Sequence, residues 1–255
     1  MTRTPYLDAP FVALAHRGFS LDGLENSLRA FEAAHALGFR YVETDAHGTS
    51  DGVAVALHDA TLDRTTDATG VVADLPWAVV ARARIGGVEP VPRLDDLFGA
   101  WPDLRVNIDV KGASGVRPVA EAIERTRAHD RVCVTSFSVA RRRATVALLS
   151  RPVATSAGQG EVVRFLLAAR LRSASGVARA LRDVDCLQVP VAQGVVRVVD
   201  ARTVAAAHRS GRQVHVWTID EPAEMRRLID LGVDGIVTNR ADLLRDVLTE
   251  RGLTP

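Results

Sequence analysis

Residues 213–218 read QVHVWT, residues 221–232 read EPAEMRRLIDLG, and residues 235–238 read GIVT. The first and last are short, β-branched, apolar runs that suit buried strands. The segment 222–231 is amphipathic at helical spacing, and Gly232 follows it where a left-handed cap ends a helix. Two strands joined through a helix in so short a span lie parallel. The same unit recurs outward in the chain. Strands are predicted at residues 12–16, 41–45, 105–111, 131–136, 153–156, 185–189, 213–218 and 235–238, with helices such as 27–37, 116–129, 161–171 and 203–210 between them. Gly38 and Gly211 mark two more helix ends. Eight strands alternating with helices predict an α/β fold, a closed (β/α)8 TIM barrel. A doubly wound open sheet is the competing reading.

The rhythm breaks once, between the second and third strands. Residues 46–104 begin with an extra strand at 53–57 after the Ser50-Asp51-Gly52 turn and continue through a Pro- and Gly-punctuated stretch, 76–92. This predicts an insertion over the catalytic mouth, where long βα connections belong. The 255 residues match the ~250 typical of such a barrel, so residues 1–255 are read as a single domain.

Composition narrows the function classes. Hydrophobic residues make up 47% and charged residues 25%, as in a globular protein with a sizeable core. The net charge of +1 steers the chain as a whole toward neither nucleic acid nor an anionic membrane, so a phosphate-bearing ligand must be held by local charges. Cys133 and Cys186 lie in apolar strand-like runs and read as buried thiols of a reducing compartment. No apolar leader region and no run of ~18 apolar residues is present, which predicts a cytoplasmic protein without stable membrane insertion. Lys111 is the only lysine among 32 basic residues. In a chain so biased toward arginine, it stands out.

Polar residues gather where the apolar strands end. The first strand ends Ala15-His16-Arg17-Gly18. The second carries Glu43 and Asp45 two apart, on one face. The extra strand ends His58-Asp59, the third ends Asn107-Ile108-Asp109-Val110-Lys111, and the seventh ends Val216-Trp217-Thr218. Each group has a plain alternative: a structural histidine, an interior ion-pair element, a lysine that only neutralises Asp109. Together they point to chemistry. Three carboxylates in a barrel interior repel one another unless a cation joins them, and oxygen-only donors suit Mg²⁺ or Ca²⁺. Arg17 and Lys111 beside them suit a phosphate, and two histidines supply an acid and a base.

His16-Arg17-Gly18, Glu25-Asn26-Ser27, Glu43-x-Asp45, Asp51-Gly52, His58-Asp59 and Leu62-Asp63-Arg64-Thr65-Thr66 resemble the signature of the glycerophosphodiester phosphodiesterase family. The resemblance continues through Val91-Pro92-Arg93-Leu94, Asp109-x-Lys111, Ser136-Phe137, Val216-Trp217-Thr218 and Gly232-Val233-Asp234-Gly235-Ile236-Val237-Thr238, and covers about residues 13–240. It implies metal ligands at Glu43, Asp45 and Asp109, an acid/base pair at His16 and His58, and phosphate contacts from Arg17 and Lys111. Trp217 is implied as an apolar wall beside the substrate's alcohol; a barrel-filling aromatic is the equal alternative.

The chain departs from the family pattern at several positions. Asp109 stands for the usual Glu, Ser27 for Thr, Asp220 for the Asn that follows Trp-Thr-x, and Asn239-Arg240-Ala241 for the usual Asp-x-Pro. The last is expected to leave the chemistry untouched. His47 is in phase with Glu43 and Asp45, either reaching the site or standing in a solvated loop. The implied reaction is metal-dependent hydrolysis of a glycerophosphodiester to glycerol 3-phosphate and an alcohol, with His16 as base and His58 as acid. Rival readings are a lysophospholipase D or sphingomyelinase D-like activity, and a non-catalytic barrel that binds phosphate ligands.

Overall fold

A computed structural model describes residues 4–255. A 3-10 turn, Pro5–Leu7, leads into β1 (Val12–His16), α1 (Leu28–Ala36) and β2 (Tyr41–Gly48). There follow β3 (Ala54–Ala56), α2 (Trp77–Val80), β4 (Arg84–Ile85), β5 (Glu89–Pro90) and α3 (Leu94–Ala100). The alternation resumes with β6 (Arg105–Val110), α4 (Val116–Thr126), β7 (Val132–Thr135), α5 (Val139–Val146), β8 (Ala154–Thr155), α6 (Gln159–Arg170) and α7 (Ala174–Ala180). The last elements are β9 (Cys186–Pro190), a hairpin of β10 (Ala192–Gln193) and β11 (Val196–Arg197), α8 (Ala201–Arg209), β12 (Gln213–Trp217), α9 (Pro222–Asp230), β13 (Gly235–Thr238) and α10 (Ala241–Glu250).

The parallel strands run in the order β8, β7, β6, β2, β1, β13, β12, β9. The two ends of that path meet. Ser156 bridges Cys186 in parallel, Asp185 N donates to Thr155 O at 2.9 Å, and Ala157 N donates to Cys186 O at 3.0 Å. The result is the (β/α)8 barrel expected from the alternation, and all eight predicted strands are present. Helices start and stop as their sequences dictate. Ser27 accepts from Ala30 N to cap α1, Asp200 accepts from Thr203 N to cap α8, and Gly38, Gly211 and Gly232 take positive φ beyond α1, α8 and α9.

Two layers of apolar packing hold the barrel. Between sheet and helices lie side chains such as Phe31, Val42, Leu97, Phe98, Ile123 and Leu228. Inside, at the N-terminal ends of the strands, Tyr6 and Leu7 pack with Val12, Leu14, Tyr41 and Val237 and close that end. The Tyr41 hydroxyl donates to Tyr6 O at 2.7 Å, satisfying a buried polar group. Cys133 and Cys186 belong to the same cluster, buried and free of any disulfide.

Of the stretch 46–104, residues 46–48 prolong β2, against which β3 pairs antiparallel, Ala46 with Ala56 and Gly48 with Ala54. Gly48 is obligatory there, since a Cβ would lie 2.1 Å from Ser114 O. At the other end, α3 buries Leu94, Leu97 and Phe98 in the barrel's outer layer. The residues between carry a small core of their own, built from Leu57, Leu62, Val72, Val80, Ile85 and Val91, with Leu24 joining it from the loop after β1. Among the described residues no helix is long and apolar enough to cross a membrane.

Candidate active site

Alternation along β2 sends Val42 and Ala46 into the outer layer and Glu43 and Asp45 into the barrel mouth. β1 delivers His16 and then turns sharply. Arg17 and Gly18 both have positive φ, at 58° and 80°. A Cβ on Gly18 would come within 2.6 Å of Ala30, so only glycine lets the loop lie against α1. The turn directs Arg17 N onto Glu43 O at 2.9 Å and its guanidinium back over the mouth. One cavity of about 540 Å³ is lined by His16, Arg17, Glu43, Asp45, His58, Asp109, Lys111 and Trp217. Every site residue expected from the sequence thus meets in a single place. Gln188 and Asn107, joined Nε2 to Oδ1 at 2.9 Å, also line it. They were not expected, because single amides inside strands carry no motif.

The charges interlock. Lys111 Nζ lies 2.8 Å from Asp45 Oδ1 and 2.7 Å from Asp109 Oδ2. Arg17 Nε is 2.9 Å from Asp45 Oδ2, and its Nη1 is 3.0 Å from Glu25 Oε1. Asn26 donates to Asp45 Oδ2 at 3.2 Å and accepts from Thr44. Burial alone would raise the Asp45 carboxyl, but Lys111 and Arg17 outweigh it and hold it below the usual carboxylate range. At Glu43 the same two cations are outweighed: burial, then the negative charges of Asp45 and Asp109, push it well up. Asp109 is raised by burial despite Lys111.

The carboxylates also bear on a metal ion. Among the described residues no three His, Cys, Asp or Glu groups are gathered closely enough to hold one as they stand. The donor set fits a hard divalent cation all the same. It consists of carboxylate oxygens alone, Asp109 Oδ1 is buried without a hydrogen-bond partner, and Glu43 and Asp109 are destabilised as anions.

The two histidines are anchored differently. Asn239 Nδ2 donates to Asp220 Oδ2 at 2.8 Å, and Asn239 N and Thr238 Oγ1 donate to Asp220 Oδ1. Since a carboxylate only accepts, the amide nitrogen must face Asp220 and the amide oxygen must face His16 Nδ1, 2.7 Å away. Nδ1 therefore carries the proton, and Nε2 is left as an acceptor, 3.7 Å from Glu43 Oε2. Burial, with Arg17 acting in the same sense, holds His16 below the ordinary imidazole range. His58 Nδ1 instead meets Asp59 Oδ1 at 2.5 Å. Arg64 grips Asp59 at 2.6 Å and lowers its carboxyl to about 2, so His58 is backed by a carboxylate.

These contacts correct two expectations, since His47 neither reaches the cavity nor stands in a solvated loop. Asn239 does bear on the site, because its amide sets the tautomer of His16. His47 is buried but lies outside the cavity lining, with Nε2 3.2 Å from His58 O, so it props the backbone that carries His58. In the family pattern Asn is usual at 220 and Asp at 239; this chain exchanges them. Asn239→Ala should lower kcat at least about tenfold with little change in KM. The exchange variant Asp220→Asn/Asn239→Asp should keep more activity than either single change. Steady-state kinetics of the four proteins tests this, and single effects that simply multiply in the double variant would show that the two positions are uncoupled.

The aromatic side of the cavity completes it. Phe137 and Trp217 meet edge to face, ring centroids 5.9 Å apart, and Lys111 Nζ lies 5.9 Å from the Phe137 centroid. Val162, Leu166 and Val189 continue this apolar wall.

Cations set beside buried carboxylates at the C-terminal ends of the strands place the chain among phosphate-handling (β/α)8 enzymes. Comparison with known proteins names the group. The glycerophosphoryl diester phosphodiesterase family matches residues 16–243, and this chain belongs to it. It is 49% identical over 242 residues to a probable glycerophosphodiester phosphodiesterase 2 of Mycobacterium tuberculosis, covering 94% of this chain and 92% of that one. A lysophospholipase D of Mus musculus is 25% identical, over 92% of this chain and 85% of that one. Among solved structures, a putative glycerophosphoryl diester phosphodiesterase from Silicibacter pomeroyi superposes with a TM-score of 0.77 at 25% identity, covering 96% of each chain. The fold is shared with an Oleispira antarctica phosphodiesterase in complex with sn-glycerol-3-phosphate (TM-score 0.74, 20% identity, 93% of this chain and 96% of that one). By that membership the chain is a phosphoric diester hydrolase.

Proposed function

We propose that hydrolysis releases glycerol 3-phosphate and an alcohol, with a divalent cation, Mg²⁺ or Ca²⁺, held by Glu43, Asp45 and Asp109 and with His16 and His58 moving the protons. The observation that carries this reading is the unequal anchoring of two histidines on one cavity. His16 presents a bare Nε2 backed by a neutral amide, which suits a base. His58 has its Nδ1 held by an anionic Asp59, which suits the group that protonates a leaving oxygen. Arg17 and Lys111 face the phosphate's non-bridging oxygens and share its charge as it grows in the transition state. His16 takes the proton of the attacking hydroxyl as that oxygen bonds to phosphorus. The bond from phosphorus to the alcohol oxygen breaks, and His58 delivers a proton to that oxygen. The bound cation would supply further neutralisation of the phosphoryl oxygens and a lower pKa for the attacking hydroxyl.

The deciding experiment is a panel of glycerophosphodiesters with different head groups, assayed for glycerol 3-phosphate. No release from any of them would overturn the reading. Lysophosphatidylcholine, assayed for choline release because its other product keeps the acyl chain, belongs beside that panel: the wall of Phe137, Val162, Leu166 and Trp217 has room for an apolar group and favours a lysophospholipase D activity as the second reading.

The cation has its own test. Mg²⁺ or Ca²⁺ should raise the melting temperature of chelator-treated protein, by mass action on the folded state, and should restore turnover. Asp109→Ala should lose most of that shift, whereas Asp109→Glu should keep it. If the ions leave melting unchanged in the wild type, these carboxylates do not bind them.

A further inference from the structure

α6 buries Phe165, Leu166, Ala168 and Ala169 and leaves Val163, Leu167 and Leu171, at its end, to solvent. These three are spaced by four and so form one stripe. They are 51%, 56% and 79% exposed, the reverse of what a surface helix does with its apolar residues. The stripe starts at the catalytic mouth, because Val163 also lines that cavity. Beside it, Arg170 Nη2 reaches Arg197 O at 3.4 Å and ties α6 to the β10–β11 hairpin. Gln193 of that hairpin lines the same cavity, and Val195 in its turn is fully exposed.

Positive charge surrounds this apolar surface. Arg164, Arg170, Arg172, Arg179 and Arg197 are all exposed. Among the described residues Arg164, Arg172 and Arg179 have no carboxylate within ion-pair distance. A groove of about 390 Å³ beside Leu167 is walled by Arg143, Arg164, Arg179 and Arg182. Its carboxylates are engaged: Glu161 is buried on Arg142 at 2.8 Å, and Asp183 holds Arg143 at 2.8 Å.

We propose that this face docks on an anionic phospholipid bilayer. Leu167, Leu171 and Val195 enter the headgroup layer, and the arginines meet lipid phosphates, with the catalytic mouth beside the surface. An amphipathic face that is basic around an apolar stripe has this chemistry. A second copy of the chain fits worse, because a two-fold pairing would set the arginines against one another. The proposal does not depend on which diester is hydrolysed.

Co-sedimentation of the intact protein with vesicles tests it. Vesicles of phosphatidylcholine mixed with phosphatidylglycerol should retain the protein, vesicles of phosphatidylcholine alone should not, and added salt should release it by screening. Leu171→Ser and Val195→Ser should each cut binding by about fivefold, without changing melting or turnover of a soluble diester. The proposal fails if the mixed vesicles retain no more protein than phosphatidylcholine alone, or if both variants bind like the wild type. It also fails if sedimentation equilibrium reveals a dimer that Leu171→Ser dissociates, which would give the face to a second copy.

Discussion

His16→Ala and His58→Ala should each lower kcat by about 10²–10⁴, the usual contribution of a positioned acid or base. Both side chains line the cavity, and neither belongs to an apolar core cluster, so folding should be preserved. The double variant should lose less than the product of the single losses, because one proton transfer without the other gains little. Leaving-group chemistry separates the roles. A diester with a nitrophenol leaving group needs little protonation, so it should restore much of the lost rate in His58→Ala and little in His16→Ala. The anchors predict this direction: His58 is backed by Asp59, whose carboxyl lies near 2, and His16 by an amide. Rescue of His16→Ala instead would exchange the two roles.

Lys111→Arg is expected to fold normally and to lose at least tenfold in kcat/KM, about 1.4 kcal/mol of transition-state binding. The ammonium sits as a single point between two carboxylates, 2.8 Å from Asp45 and 2.7 Å from Asp109, and 5.9 Å from the Phe137 ring. A planar guanidinium needs more room and seeks two acceptors side by side. It would pair with one carboxylate fully and withdraw it from the place where the proposed cation and phosphate would need it. Charge is conserved in this substitution, so melting and kinetics together isolate geometry. Near-wild-type kinetics in a stable Lys111→Arg protein would show that positive charge alone suffices, and that the solitary lysine reflects composition.

Much of this molecule was legible before its fold was known. Strand identity came from short β-branched runs and helix ends from Gly38, Gly211 and Gly232, signals that act within a few residues. Glu43 and Asp45 could be placed on one face because side chains alternate along any strand. Arg17, Lys111, His16 and Trp217 could be placed at a mouth because they end apolar runs. These are local facts. The roles given to them rest on the family resemblance, and the kinetic experiments above decide those.

The contacts that distinguish one site atom from another were not legible. Asn239 and His16 are 223 residues apart, and they meet because β1 pairs with β13 in a register that sets Ala15 opposite Thr238. That register exists only when the barrel closes, so the meaning of exchanging Asp220 and Asn239 was invisible along the chain. His47 shares its phase with Glu43 and Asp45, yet the antiparallel pairing of β3 on the tail of β2 turns it to the His58 backbone. The basic, apolar face of α6 is likewise a tertiary fact, since a helix pattern does not say which face the sheet will cover. The local sequence thus determined the elements, their alternation and the residues at the strand ends. Closure and strand register decided which of them touch, because a hydrogen bond depends on separations of a few tenths of an ångström that no spacing along the chain encodes.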